Sequence, residues 1–361
     1  MSDHLPLTLS SWMETSTNPV FLASRIELRR NFAGTFFPEK AAIAEKEKAV
    51  QEVFWALDSF FEELGRKVSL YFLTERDETE INFLKKKGLI SPADVKEGEA
   101  VVLDDSEEYA VEINRGDHLT VRVTRAGLHA EDVARVGSLL DAYLSKKLQL
   151  SYSKKYGYLT SSLNEVGTGM RLILVGCFPA LVFSDRVDEL LNLAKNGNKV
   201  MVRKVEQFGP ANIFHIYNKS TLGLSDDDIS GAVELASQDA EKVEMGAREA
   251  LFKKEGQKFD DRIWKSYGFL EYARLLTYRE ALYHIATIRM AYGLDLGMEE
   301  KVPPKVSSRI FFGTDPDILM VLTNQRTQDP EELRPVRAEW VRGLLLGEKE
   351  ASKGAGVKHV G

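Results

Sequence analysis

The chain has 361 residues, 43% hydrophobic and 29% charged, with a net charge of −7 and one cysteine. This is the make-up of a soluble globular protein with room for one large domain and a smaller one. The acidic balance, without long basic runs, excludes a general binder of nucleic acid or anionic membrane, and a lone Cys177 excludes internal disulfides and fits a reducing, cytoplasmic setting.

Residues 1–18 are polar and are expected to be flexible; they lack the basic start and apolar core of a signal peptide. Ala41–Gly65 carries Val50, Val53, Phe54, Leu57 and Phe61 at helical spacing. Val68–Leu73 reads as a strand, and Asp77–Gly88 as a helix that Gly88 stops. Val101–Leu103, Tyr109–Ile113 and Leu119–Thr124 follow as strands, the last two joined by a tight turn at Arg115-Gly116-Asp117. That RGD tripeptide is a hairpin turn rather than an adhesion signal.

Glu131–Leu148 is an amphipathic helix, and the apolar run Arg171–Phe183 is a strand broken by Gly176 and Pro179. Cys177 within it reads as a small buried hydrophobe. Lys199–Arg203 and Asn212–Tyr217 are two more strands. Ser225 with Asp226, Asp227 and Asp228 opens a long helix, acidic groups at its positive end. From there the pattern is helical, with breaks expected at Gly256 and Gly268, and Asp329–Leu346 is one more helix. The predicted fold is α+β: a mostly antiparallel sheet flanked by helices over 19–240, a helical C-terminal region over 241–346, and a disordered tail over 347–361. The six histidines are scattered, so no metal site is expected.

Four segments carry chemistry: FLASRIELRRNFAG (Phe21–Gly34), INRGDHLTV (Ile113–Val121), GYLTSSLNEVGTGMR (Gly157–Arg171) and NIFHIYNKSTLGLSDDDI (Asn212–Ile229). In order and spacing they resemble the phosphagen (ATP:guanido) kinase superfamily, and within it the bacterial protein-arginine kinase McsB type. The resemblance covers about 20–295 and continues more weakly to about 345. It implies a glutamine-synthetase-like sheet, ATP with Mg as cofactors, and phosphoryl transfer to a guanidinium nitrogen. It also implies a homodimer through the helical region, with a McsA-like zinc-binding activator and a Clp-type unfoldase as partners. Such chemistry needs fixed cations around the migrating phosphoryl group, a carboxylate to take the guanidinium proton, and a site that excludes water.

By that resemblance Ser24, Arg25, Glu27, Thr120, Arg171 and Arg203 occupy nucleotide-binding positions. Only Arg25, Arg171 and Arg203 keep the family's arginines; Glu27 reverses one charge and Thr120 deletes another. Arg115 and Gly116 replace the two hairpin glutamates, one of them the implied catalytic base, and Ser162 replaces the family's cysteine. Gly88 stands where relatives carry a histidine linked to the nucleotide base, and the loop after Arg203 is about three residues short and lacks the substrate carboxylate. A carboxylate about 4 Å from a phosphate oxygen costs about 4 kcal/mol at an effective dielectric near 20. Losing one oriented donor costs about 3–4 kcal/mol. The expectation is therefore a pseudokinase acting as a regulatory or scaffolding partner in protein quality control.

Two alternatives stay open. One is an active protein-arginine kinase rescued by Arg29, Arg115, Arg122 and Glu206, although the three arginines are expected as solvated surface charge. The other is a phosphoarginine-binding module using Arg337 and Arg342, in a segment that resembles a McsB recognition element but has Arg334 where the family has aspartate.

Overall fold

Along Phe21–Arg30, side chains alternate between two environments: Leu22, Ile26 and Leu28 on one face, Arg25, Glu27 and Arg29 on the other. This central strand divides the molecule into a helix-packed side and a charged side. The computed structural model describes residues 5–194, 199–327 and 329–355. Its strands are β1 (Phe21–Arg30), β2 (Val68–Phe72), β3 (Ala100–Asp104), β4 (Tyr109–Arg115), β5 (Asp117–Ala126), the short pair β6 (Tyr152–Ser153) and β7 (Gly157–Tyr158), β8 (Met170–Cys177), β9 (Val200–Lys204) and β10 (Ile213–Asn218). All but β6 and β7 form one antiparallel sheet in the order β2-β3-β4-β5-β1-β8-β10-β9.

The helices before the C-terminal unit are α1 (Ser11–Glu14), α2 (Ile43–Glu63), α3 (Glu78–Lys86), α4 (Ala130–Lys147), α5 (Pro179–Phe183), α6 (Val187–Leu193) and α7 (Asp226–Glu255). α2, α4 and α7 cover the apolar face of the sheet and enclose the main core. Gly137 lets α4 close on β1, because a Cβ there would lie 2.8 Å from Ile26 Cγ2. As expected, the strand before Pro179 ends and a short helix begins, Ser225 caps α7 with Asp228, and Gly256 at φ 52 ends it. Cys177 is fully buried beside the Ala211 carbonyl.

α8 (Gln257–Tyr272), α9 (Tyr278–Arg289), α10 (Met298–Lys301), α11 (Pro304–Gly313), α12 (Pro316–Leu322) and α13 (Pro330–Ala355) make up the helical region. It is tied to the sheet through two fully buried arginines that both donate to the Pro19 carbonyl just before β1: Arg289 of α9, and Arg248 of α7, which also donates to the Tyr292 carbonyl of the helical region. Lys86 at the end of α3 adds ion pairs of 3.3 and 3.5 Å to Asp315 and Asp317 on α12.

Three expectations are corrected. The segment before β1 is not loose: Leu5, Leu9, Trp12 and Met13 are buried, with the Trp12 ring edge-on to Phe312 at 5.2 Å. Its polar composition hid these few apolar anchors; residues 1–4 lie outside the described residues. Gly268 does not break a helix, since α8 runs straight through it on the packing of its Ile263, Tyr267 and Leu270 face. The tail expected to be disordered from 347 continues α13 as far as Ala355, and 356–361 lie outside the described residues. Trp12→Ala is expected to lower stability by about 3–5 kcal/mol in a urea melt; a loss under about 0.5 kcal/mol would mean that the segment is a loose tail after all.

Candidate functional site

The four chemistry-bearing segments meet along one end of the sheet, joined by hydrogen bonds. Asn31, at the end of β1, donates 2.6 Å to Asp117 and accepts the His118 backbone N–H at 2.9 Å. Asp117 in turn accepts the backbone N–H of Ser161 at 2.6 Å and its hydroxyl at 3.0 Å. Thr221 donates 2.7 Å to the Val166 carbonyl, and its own carbonyl accepts the Thr168 N–H. Gly167, at φ +121, passes so close that a Cβ would stand 2.3 Å from the Thr221 carbonyl oxygen. The hairpin turn at Arg115-Gly116-Asp117 forms as expected, with Asn114 and Gly116 at positive φ.

The charged face of the sheet carries the retained phosphate-site positions. Glu27 lies opposite Arg122 on β5 and Arg171 on β8; Arg29 lies opposite Thr120, and Arg25 opposite Thr124. His215 pairs with Arg203 across β10 and β9. Burial, then Arg25 and with it Arg203, lowers His215 to about 4, so this neutral imidazole stands between two of the family's cations. Arg25, Arg171 and Arg203 thus share one face, as the resemblance requires. Ser24 does not: alternation turns it to the opposite face, where it donates to the Gly127 carbonyl and accepts the His129 N–H. That nucleotide-binding assignment is corrected.

Most of the charges on this face pair with one another, while Arg203 stands exposed on the edge strand. Arg122 reaches Glu27 at 3.2 Å and Glu112 at 2.8 Å, and Arg29 reaches Glu27 at 3.5 Å and Asp117 at 3.8 Å. Arg115 holds Glu112 at 2.6 Å and also pairs with Glu99, while donating to the backbone carbonyls of Ser91 and Ala93. Arg171 pairs with Glu165, three residues past the Ser162 position. So Arg29, Arg115, Arg122 and Arg171 are all engaged by the carboxylates of Glu27, Glu99, Glu112, Asp117 and Glu165. Arg25 adds a fifth cation to five anions. The expectation that Arg115 and Arg122 are solvated surface charge is corrected: they are 5% and 4% exposed. Burial raises the Glu27 carboxyl, but Arg122, Arg25 and Arg29 outweigh it and hold the group down at about 2.

Arg25 is similarly committed. Its Nε donates 2.9 Å to Thr124, its guanidinium lies 5.6 Å from the Trp12 ring centre, and burial lowers it to about 10 against the pull of Glu27. A Cβ at Gly88 would sit 2.6 Å from its Nη1, so the missing side chain at Gly88 is the space this arginine fills. Thr120 is buried and its hydroxyl has no hydrogen-bond partner. Gly116 is exposed at the hairpin tip and offers no carboxylate; Ser162 precedes a short turn at Leu163–Glu165, its backbone carbonyl accepting the Glu165 N–H.

Arg337 and Arg342 are put to structural use. Arg337, 2% exposed, donates to the carbonyls of Thr314 and Leu276, and Arg342 donates to the carbonyl of Ala273. These carbonyls follow α11 and α8, so the two arginines tie helix ends together. The anions Glu99, Glu112 and Glu165 and the cover from Trp12 were missed by sequence reasoning. Only the placement of Glu165 inside a motif gave any sign.

A helix-backed antiparallel sheet with these segments converging on its charged face defines the guanidino-phosphotransferase scaffold. Comparison with known proteins agrees. The model of the ATP:guanido phosphotransferase C-terminal catalytic domain matches residues 48–239, and that of the protein-arginine kinase McsB C-terminal domain matches 256–354. The protein-arginine kinase of Geobacillus sp. (strain WCH70) is 30% identical over 357 residues, covering 96% of this chain and 97% of that one. That of Desulforamulus reducens is 29% identical over 349 residues, covering 94% and 95%. Among solved structures, the duplicated taurocyamine kinase from Schistosoma mansoni with bound transition state analog components aligns with TM-score 0.58 and 17% identity, over 73% of this chain and 40% of that one. Lombricine kinase aligns with TM-score 0.52 and 16% identity, over 67% and 72%. These two similarities speak for the fold alone. The chain belongs to the ATP:guanido phosphotransferase family, in its protein-arginine kinase branch.

Glu27→Gln leaves Arg122 and Arg29 short of a buried anion and is expected to cost about 3 kcal/mol at pH 7. Because the folded carboxyl is held below its ordinary value, its contribution is complete above about pH 5 and fades as pH falls toward 2. Urea melts of both proteins should therefore converge with acidification; a gap independent of pH would contradict the pairing.

Proposed function

We propose that this protein is a pseudokinase of the protein-arginine kinase family, a cytoplasmic regulatory or scaffolding partner in protein quality control. What carries the proposal is the chain of ion pairs on the charged sheet face, Arg29–Glu27–Arg122–Glu112–Arg115–Glu99 with Arg171–Glu165 beside it. A magnesium triphosphate is itself an anion, and a transferring phosphoryl group needs cations whose charge is free to face it. Here Arg29, Arg115, Arg122 and Arg171 are each met by a carboxylate, Arg25 is held by Thr124 and the Trp12 ring, and Arg203 stands exposed on the edge strand; Glu27 itself occupies a position where the resemblance implies a phosphate-binding arginine. Magnesium ATP does not fit these residues. At the hairpin, Arg115 and Gly116 offer no base for a guanidinium proton.

The retained scaffold suits binding rather than turnover. A McsA-like zinc-binding protein and a Clp-type unfoldase are the partners family membership implies, and a homodimer through the helical region is the implied assembly. Among the described residues no helix is long and apolar enough to cross a membrane.

Purified protein with magnesium ATP and a protein substrate is expected to yield no acid-labile phosphate on arginine, with a rate at least about a million-fold below a working relative. Transfer within about a hundredfold of that relative, abolished by Arg171→Ala, would contradict the proposal and establish an active kinase instead.

A further inference from the structure

On the helix-packed side of the sheet, away from the charged face, a cavity of about 580 Å³ opens between α4, the β6–β7 ribbon and the turn that leads into α7. Its floor is neutral. Arg30, which alternation along β1 turns to this side, meets the two oxygens of Asp141 at 2.7 and 2.9 Å and lies 3.6 Å from the ring centre of Tyr158. The same guanidinium donates to the carbonyls of Arg29 and Thr168. Both members of the pair are buried and satisfied within the chain, so they set the shape of the cavity and not its charge.

The mouth is different. Tyr152 and Tyr156 are 62% and 47% exposed, and Leu222, which also lines the cavity, is 53% exposed. Tyr152 stands edge-on to Tyr158, its partner across the ribbon, at 5.2 Å. Rings left in water around a concave site are the composition of an interface rather than of a solvated surface. Lys154 and Lys155, at the tip of the ribbon, line the same cavity and are exposed. Lys146 follows Ala142, a lining residue of α4, by four positions and shares its helix face. Among the described residues none of these three lysines has a carboxylate within ion-pair distance, and Lys155 lies 5.1 Å from the centre of the Tyr156 ring. Besides Asp141, the one carboxylate lining the cavity is Asp226, which accepts the Ser138 hydroxyl at 3.2 Å.

A chain of net charge −7 thus concentrates three unpaired lysines and two exposed tyrosines around one opening. Charge complementarity selects an acidic partner, and the rings ask for an apolar group among its acids. A nucleic acid would carry a phosphate at every step past Asp226, Asp227 and Asp228 at the start of α7. A peptide can set its acids over the lysines alone and pass the aspartates with uncharged residues. We propose that this cavity and its lysine rim dock an acidic peptide segment of a partner protein, with an apolar side chain seated against the exposed tyrosines and carboxylates on Lys146, Lys154 and Lys155. The site lies across the sheet from the phosphate positions and is independent of the state of the cleft.

The test is fluorescence anisotropy of the full chain with a short labelled peptide of glutamates flanking two phenylalanines. Micromolar binding at low salt is expected, weakened at least about tenfold by Lys154→Glu combined with Lys155→Glu. Exchange of the two phenylalanines for glycines, and Tyr152→Ala in the protein, are each expected to weaken it as well. These side chains are exposed, so the variants are expected to melt with the wild type. No saturation up to millimolar peptide, binding unmoved by the lysine reversals, or equal binding of a lysine peptide with the same phenylalanines overturns the proposal. Single-stranded polythymidylate that binds through these lysines while the acidic peptide does not overturns it too, and assigns the patch to nucleic acid.

Discussion

Everything on the charged face follows from one buried carboxylate, Glu27. It sits in the central strand between Arg122 and Arg171, where burial alone would neutralise it. It keeps its charge because Arg122, Arg25 and Arg29 outweigh the cost of burial. Arg122 must also serve Glu112, and Glu112 engages Arg115, whose remaining donors reach Glu99 and the carbonyls of Ser91 and Ala93. The chain of pairs runs from Asp117 through Arg29 at one end to Glu99 at the other. Such a network adds little net stability compared with an apolar packing, yet breaking any member leaves an unpaired buried charge. The cations are therefore structural obligations of the fold, whatever ligand the cleft meets.

On the proposed reading, scaffold and chemistry have separated in this molecule. The residues that hold the segments together are present and bonded: Asn31 with Asp117 and His118, Asp117 with Ser161, Thr221 with the turn at Gly167. These contacts fix backbone shape and carry no charge toward a phosphate. Of the residues that the resemblance assigns to phosphate or proton, Arg171 is paired with Glu165, Arg25 is held by Thr124, and Glu27, Thr120, Arg115 and Gly116 stand where relatives carry other side chains. A family's fold can persist on the first set without the second, because function resides in the site and not in the scaffold.

Much of this was legible in the sequence, and the failures share a cause. Strand alternation, the hairpin at Gly116, the cap at Ser225 and the stop at Gly256 depend on neighbours in the chain, and the local pattern displays them. The partners of Glu27, Arg115 and Arg171 depend on side chains brought from other strands, and no spacing rule reveals them. Ser24 was misplaced because motif position does not say which sheet face a residue takes. Arg337 looked like a free cation until the helix ends that it joins were in view. The N-terminal segment was misjudged by its polar average, although four buried apolar side chains are enough to pin it.

The proposed pseudokinase requires that the paired arginines of the charged face stay with their carboxylates when nucleotide is offered. That requirement is tested most directly by thermal unfolding of the purified protein against magnesium ATP. The melting temperature is expected to stay flat up to millimolar nucleotide, since a ligand that does not bind the native state leaves stability unchanged. A melting temperature that climbs with nucleotide concentration, and stops climbing in Arg171→Ala, would show that the ion pairs open to admit a triphosphate.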